Sequence, residues 1–242
     1  MRVVTNQAII DRNKRIAQTL FFVSIAGMIG SIFLVNSIAA ENPDLASSFQ
    51  CVSLTVLMIL VIMSVRMTNL WVRQPYPWKA LEEGLKATDK NAVLYHYLMP
   101  APHVLITQNG VFAMVTRFQE RPQTVVDGKW RTGFNILTFM RQEQIGNPTD
   151  EARYRAKQTE VFLQELLEDP SVEVNPLIVF VHPRAEVEIE GDPIVPILYA
   201  SAAKKKESLK SFMQKHKKEG AGTGLTEEQI AELDDVLLFL DE

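Results

Sequence analysis

The sequence predicts an α/β protein: a two-helix transmembrane hairpin followed by a soluble domain whose mixed sheet is flanked by helices. Three observations lead there. Two long apolar segments without charge occupy 20–40 and 49–65. Beyond them, short runs rich in β-branched and aromatic residues are punctuated by turn residues. One strongly helical stretch, 147–168, then leads to a continuous apolar run at 177–181, the alternation expected of a layered α/β domain.

The first apolar segment holds 21 residues, roughly 31 Å of helix, enough for a hydrocarbon core of about 30 Å. The second is shorter but is followed by Arg66 and Trp71, side chains that favour the membrane interface. Ser37-Ile38-Ala39 has the small-x-small look of a cleavage site, yet the apolar stretch before it is longer than that of a usual signal peptide. An uncleaved span is expected. Arg2, Arg12, Lys14 and Arg15 precede it, the intervening loop 41–48 carries Glu41 and Asp44 without Lys or Arg, and Arg66, Arg73 and Lys79 follow. The positive-inside tendency therefore places both termini in the cytoplasm of a multi-pass protein of the cell (inner) membrane. Ala26, Gly27, Gly30 and Ser31 give the first span a small-residue face for close packing.

Pro75 and Pro77 end any helix leaving the membrane, which sets the divisions expected at 1–73, 74–200 and 201–242. Trp78, Leu81 and Leu85 recur at helical spacing. Strands follow at 92–99, 103–107, 111–118, 124–126 and 129–131, with turn dipeptides Asn109-Gly110 and Asp127-Gly128. Asn147-Pro148 opens the best helix, with Ala152, Ala156, Thr159, Leu163 and Leu166 on one face and Pro170 beyond its end. The run at 177–181 suits a strand buried on both faces. Weaker strands at 186–190 and 194–200 precede two helices, 203–218 and 226–240, expected to form a hairpin joined by the glycine-rich EGAGTG. Thr226 and Gln229 have capping-box spacing.

Composition narrows the function. Four of the 25 Lys/Arg and three of the 29 Asp/Glu precede Arg66, leaving 21 against 26 in the soluble part. That mild acidity does not favour general nucleic-acid binding, which rests on phosphate neutralisation. A lone cysteine, Cys51, excludes an intrachain disulfide framework and a Cys-based metal site. The four histidines lack metal-ligand spacing, although His96 and His103 fall on neighbouring strands. GAGTG has neither the strand nor the Lys-Ser pair of a phosphate-binding loop.

The hairpin APHVLITQNGVFAMVTR at 101–117 resembles that of the nuclease-related NERD domain, a branch of the PD-(D/E)XK restriction-endonuclease-like superfamily. His103, Asn109, Gly110, Val111 and Phe112 stand in register with the family's pattern. Asn147-Pro148 matches its later helix start, and PLIVFV at 176–181 its apolar strand. The resemblance spans roughly 78–200 and implies a restriction-endonuclease-like fold. It also implies a Mg²⁺ site built from an Asp before the His and a Glu and Lys two apart on the next strand. Those positions here are Pro102, Val115 and Arg117. Proline and valine offer no side-chain oxygen to a hard cation, and arginine stays protonated. The expectation is a vestigial site without catalytic residues, metal or cofactor, and hence not an enzyme. The rival is a membrane-tethered nuclease with a relocated site, its acid supplied by Glu151 or Glu160 of the neighbouring helix.

Lys204, Lys205, Lys206 and Lys210 begin a run of seven lysines ending at Lys218. They suit anionic headgroups, a binding partner or nucleic acid. The plainer expectation is a solvated helix whose lysines face the seven acids of 226–242. The role expected of the whole chain is binding or scaffolding. Its partners would be the lipid bilayer and a protein in the membrane, as an accessory subunit of a larger complex.

Overall fold

The structure, a computed structural model, describes residues 1–120, 122–131, 145–201, 207–220 and 224–239. It divides into two compact units. One contains Ala8–Gln74; the other contains Met1–Gln7, Pro75–Gly133 and Ile145–Glu242.

The first unit is a helical hairpin. Helices α1 (Gln7–Glu41) and α2 (Pro43–Trp71) are separated by Asn42 alone, so most of the expected loop at 41–48 is helix. The local reason is a strong start signal. The Asn42 side chain accepts from the Leu45 amide at 3.1 Å, Pro43 opens the first turn, and Asp44 complements the helix dipole. Both helices are long and apolar enough to cross a membrane, and only 6% of each apolar window is buried. A core helix of a soluble protein would hide most of that surface. Phe22, Ile32, Phe33, Val52 and Met58 instead point outward. Of the small residues, Gly27 lies at the contact, where a Cβ would sit 2.8 Å from Leu57 Cδ2, whereas Gly30 has open space.

The second unit is a three-layer α/β domain. After α3 (Pro77–Gly84) come β2 (Val93–His96), β3 (His103–Thr107) and β4 (Gly110–Arg117), then the ribbon β5 (Gln123–Val126) and β6 (Lys129–Arg131). Helix α4 (Pro148–Leu166), β7 (Val174–Phe180), β8 (Val187–Glu190), β9 (Ile197–Tyr199), α5 (Leu209–Glu219) and α6 (Glu227–Phe239) complete it. The main sheet begins with β1 (Arg2–Thr5) and has the order β1-β2-β3-β4-β7-β9. Strands β2, β3 and β4 are antiparallel, and β4, β7 and β9 are parallel. Its outermost strand, β1, precedes α1 and pairs parallel to β2 with Arg2 opposite Val93. Strands β6, β5 and β8 form a separate small sheet.

Alternation along the strands decides what lies on each face. Val104, Ile106, Val111 and Ala113 pack with Ala156 and Leu163 of α4 and Leu233 and Leu237 of α6. Leu105, Phe112, Met114, Leu177 and Val179 pack with Leu81 of α3 and Leu209 and Met213 of α5. The two C-terminal helices therefore lie on opposite faces of the sheet, not as the expected hairpin, and the lysines of α5 do not face the acids of α6. The sequence could not show this, because both helices are amphipathic and either face of the sheet accepts them.

The β3–β4 turn also differs in detail from the expected Asn-Gly turn. Gln108 and Asn109 form it, and Gly110 begins β4 with φ +151°, a conformation side-chain-bearing residues rarely adopt. The Thr107 hydroxyl closes the turn, donating to the Gly110 carbonyl at 3.0 Å.

Candidate functional site

Of the three positions that carry the nuclease resemblance, Val115 and Arg117 lie toward the end of β4, and Pro102 immediately precedes β3. The register pairs His103 with Met114, so continuing it by one residue sets Pro102 opposite Val115. Val115 is buried among Ala152 of α4, Ile178 and Phe180 of β7, and Ile145. Two residues on, where the strand reaches the rim, the Arg117 guanidinium donates to Glu151 Oε2 at 2.6 Å and to the Thr116 carbonyl at 3.0 Å.

Helix α4 frames this end of the sheet. Asn147 caps it, accepting from the Asp150 amide at 3.3 Å, and Pro148 opens its first turn. Thr149 accepts from Trp130 Nε1 at 2.8 Å, tying β6 to the same turn. Thr159 accepts from the Ala101 amide at 3.0 Å, and Arg155 donates to the Pro100 carbonyl at 2.9 Å. The loop that presents Pro102 is thereby held to α4 by two bonds.

Both acids of the rival reading are engaged. Glu151 receives Arg117. Glu160 pairs with Lys157 at 2.5 Å and accepts from the Val174 amide at 3.3 Å. Among the described residues, no three His, Cys, Asp or Glu side chains come together where they would hold a metal ion.

The histidines have other work. His96 and His103 do meet, with their Nδ1 atoms 2.8 Å apart and both rings buried. One nitrogen of such a pair must donate and the other accept. Burial lowers His96 to about 4, and burial together with His96 holds His103 well below the ordinary imidazole range. His96 Nε2 points toward Glu82, 3.7 Å away, whose carboxyl is pushed up chiefly by its own desolvation. His182 lies 3.1 Å from Glu120. His216 donates to the Asn109 carbonyl at 3.1 Å, fixing the last turns of α5 against the β3–β4 turn.

Of the lysines singled out in the sequence, Lys210 is exposed on α5, while Lys204, Lys205 and Lys206 lie outside the described residues. One cluster escapes sequence reasoning altogether. Asp234 of α6 accepts from Arg2 of β1 and, at 2.8 Å, from the hydroxyl of Tyr95 on β2. Its members are more than 90 residues apart in the chain, and no local pattern links them.

Comparison with protein-family models, with curated proteins and with solved structures finds no match.

Proposed function

We propose that this chain is a membrane-anchored binding or scaffolding protein. Its cytoplasmic domain is NERD-like, has a restriction-endonuclease-like fold and is catalytically inactive, and it serves as an accessory subunit of a membrane complex. The observation that carries this reading is the pairing of Arg117 with Glu151 beside a buried Val115. An arginine engages the nearest acid of the helix, and an apolar side chain stands where the resemblance requires a metal-binding carboxylate. A hard divalent cation needs several oxygen ligands in one shell. The order α3, β2-β3-β4, α4, β7, with β4 parallel to β7, supports the fold assignment. The two long apolar helices support the membrane anchor.

The test is an incubation of purified full-length protein with DNA and with RNA in the presence of Mg²⁺ or Mn²⁺. No cleavage is expected. Metal-dependent cleavage that disappears in Glu151→Gln would establish the relocated-site nuclease instead. Purification in mild detergent is expected to bring down a second membrane protein in fixed stoichiometry.

A further inference from the structure

We propose that the outward face of α5 docks onto the anionic phospholipid headgroups of the membrane that anchors the chain. This rests on the membrane-anchored part of the reading above and adds a lipid-binding surface to it.

At about 100° per residue, Leu209 and Met213 mark the inward side of α5, and both are buried under the sheet. His216 is drawn inward with them by its bond to the Asn109 carbonyl. The roll of the helix is thereby fixed. Away from that side lie Lys210, Gln214, Lys215 and Lys218, with Lys217 at the flank, all exposed. Lys217 pairs with Asp89 at 3.3 Å. Among the described residues Lys210, Lys215 and Lys218 have no carboxylate partner. Glu207 and Glu219 flank the two ends of the helix, so the outward face between them is of one sign.

An ordinary solvated helix interleaves its charges. The acids that would neutralise this one belong to α6, across the sheet, where Asp234 is already committed to Arg2 and Tyr95. A basic face on an otherwise acidic domain is a local device, not a consequence of overall charge. Lysine ammonium groups are compact point charges suited to a diffuse anionic surface, whereas arginine forks suit bidentate recognition. Because the apolar side of α5 is spent on the core, docking is electrostatic and does not insert into the bilayer. Each lysine at an anionic surface shifts the docked-to-free ratio about five-fold, so losing three lowers it on the order of one hundred-fold.

The experiment uses full-length protein carrying Cys51→Ser and Gln214→Cys, with a fluorophore on the new thiol. It is reconstituted into nanodiscs of phosphatidylcholine alone or phosphatidylcholine with phosphatidylserine. Quenching by neutral acrylamide is expected to fall only in the phosphatidylserine discs. It should recover at high salt and in Lys210→Gln/Lys215→Gln/Lys218→Gln. The salt response of the unsubstituted lysines decides the matter if that triple variant fails to fold. Equal quenching in both discs overturns the docking while leaving the anchor intact. Protection by an added oligonucleotide in phosphatidylcholine discs, without protection by phosphatidylserine, overturns it in favour of nucleic acid. Failure of the chain to enter nanodiscs overturns the anchor, and the docking with it.

Discussion

His96 and His103 face each other across adjacent strands with their Nδ1 atoms 2.8 Å apart, both rings shielded from solvent. The contact needs one proton between the two nitrogens, and a second would set two N–H donors against each other and put a charge on a buried ring. The folded domain therefore binds fewer protons than the unfolded chain below the ordinary imidazole value of 6.5, with His96 lowered to about 4 by burial and His103 held well below its ordinary range by burial and by His96. Stability is fully present above about pH 6.5 and is lost as the pH falls toward 4 and below. Each proton excluded contributes a slope of about 1.4 kcal/mol per pH unit in that window. Denaturant midpoints measured in detergent at pH 7 and pH 5 should fall with acidity. In His103→Gln, which retains a hydrogen-bonding partner but one fewer titrating ring, the slope should drop to roughly half. An unchanged slope would show that the pair does not titrate as a buried unit.

Val115 and Arg117 stand two apart on β4 yet should respond very differently to substitution. Val115→Glu would place a carboxylate among Ala152, Ile178 and Phe180 and cost several kcal/mol, on the order of burying an unpaired charge. Arg117→Ala removes an ion pair whose acid is 45% exposed, so solvent screening limits the loss to about 1 kcal/mol or less. Thermal melts of the two variants should differ in that order. Similar melting temperatures would mean that the Val115 environment is wetter than its burial implies.

Much of this domain was legible in the sequence because its signals are local. Asn147-Pro148 starts α4, Thr226 and Gln229 form their reciprocal bonds at 3.0 and 3.2 Å, and the 177–181 run is a central strand. The placement of Val115 and Arg117 two apart on one strand was also legible, since both lie in the apolar run that forms β4. Features that depend on distant partners were not. The residues RVVT read as a tail because their pairing strand begins at Val93. The β5–β6 ribbon read as part of the main meander because its parallel partner, β8, lies some 60 residues further on. The side of the sheet chosen by each C-terminal helix depends on the path between them.

That path yields another prediction. The EGAGTG connection reads as a flexible linker, but a Cβ on Gly224 would lie 2.2 Å from the Thr107 carbonyl oxygen and 2.4 Å from the Gln108 carbonyl carbon. Those atoms are backbone and cannot swing away. The chain entering α6 passes directly over the β3–β4 turn at this glycine. Gly224→Ala should therefore destabilise the domain by an amount typical of overpacking, about 1–3 kcal/mol, read as a lower melting temperature. Gly220→Ala has open space around its Cβ but a left-handed φ of +63°, and should cost about 1 kcal/mol. A neutral Gly224→Ala would mean the crossing runs elsewhere.

The orientation proposed for the spans is tested by thiol labelling in intact cells carrying Cys51→Ser. Ser47 lies in the first turns of α2, and Lys90 lies before β2; both are exposed. A cysteine at Ser47 should react with an impermeant reagent, and one at Lys90 should not. The reverse pattern would place the domain outside the cell.

Strand β1 supplies the last prediction, because a parallel edge strand directs alternate amides toward its neighbour. The Arg2 amide donates to the Ala92 carbonyl at 2.9 Å and the Asn6 amide to that of His96 at 3.0 Å. The same two-residue step directs the Val4 amide at β2 and leaves those of Val3 and Thr5 on the open edge. Proline removes the donor, and sheets tolerate it only where the amide faces outward. Val4→Pro should thus free the N-terminal segment from the sheet and expose the edge of β2. The Met1 ammonium would lose the Lys90 carbonyl and Arg2 would lose Asp234. Val3→Pro, at a position 38% exposed, should leave the strand in place. Hydrogen exchange at the Val93–His96 amides and proteolysis at Arg2 report the difference. Equal protection in the two variants would show that β1 does not pair in this register. Loss of protection in Val4→Pro alone would show that the residues ahead of α1 are an integral strand of the α/β domain.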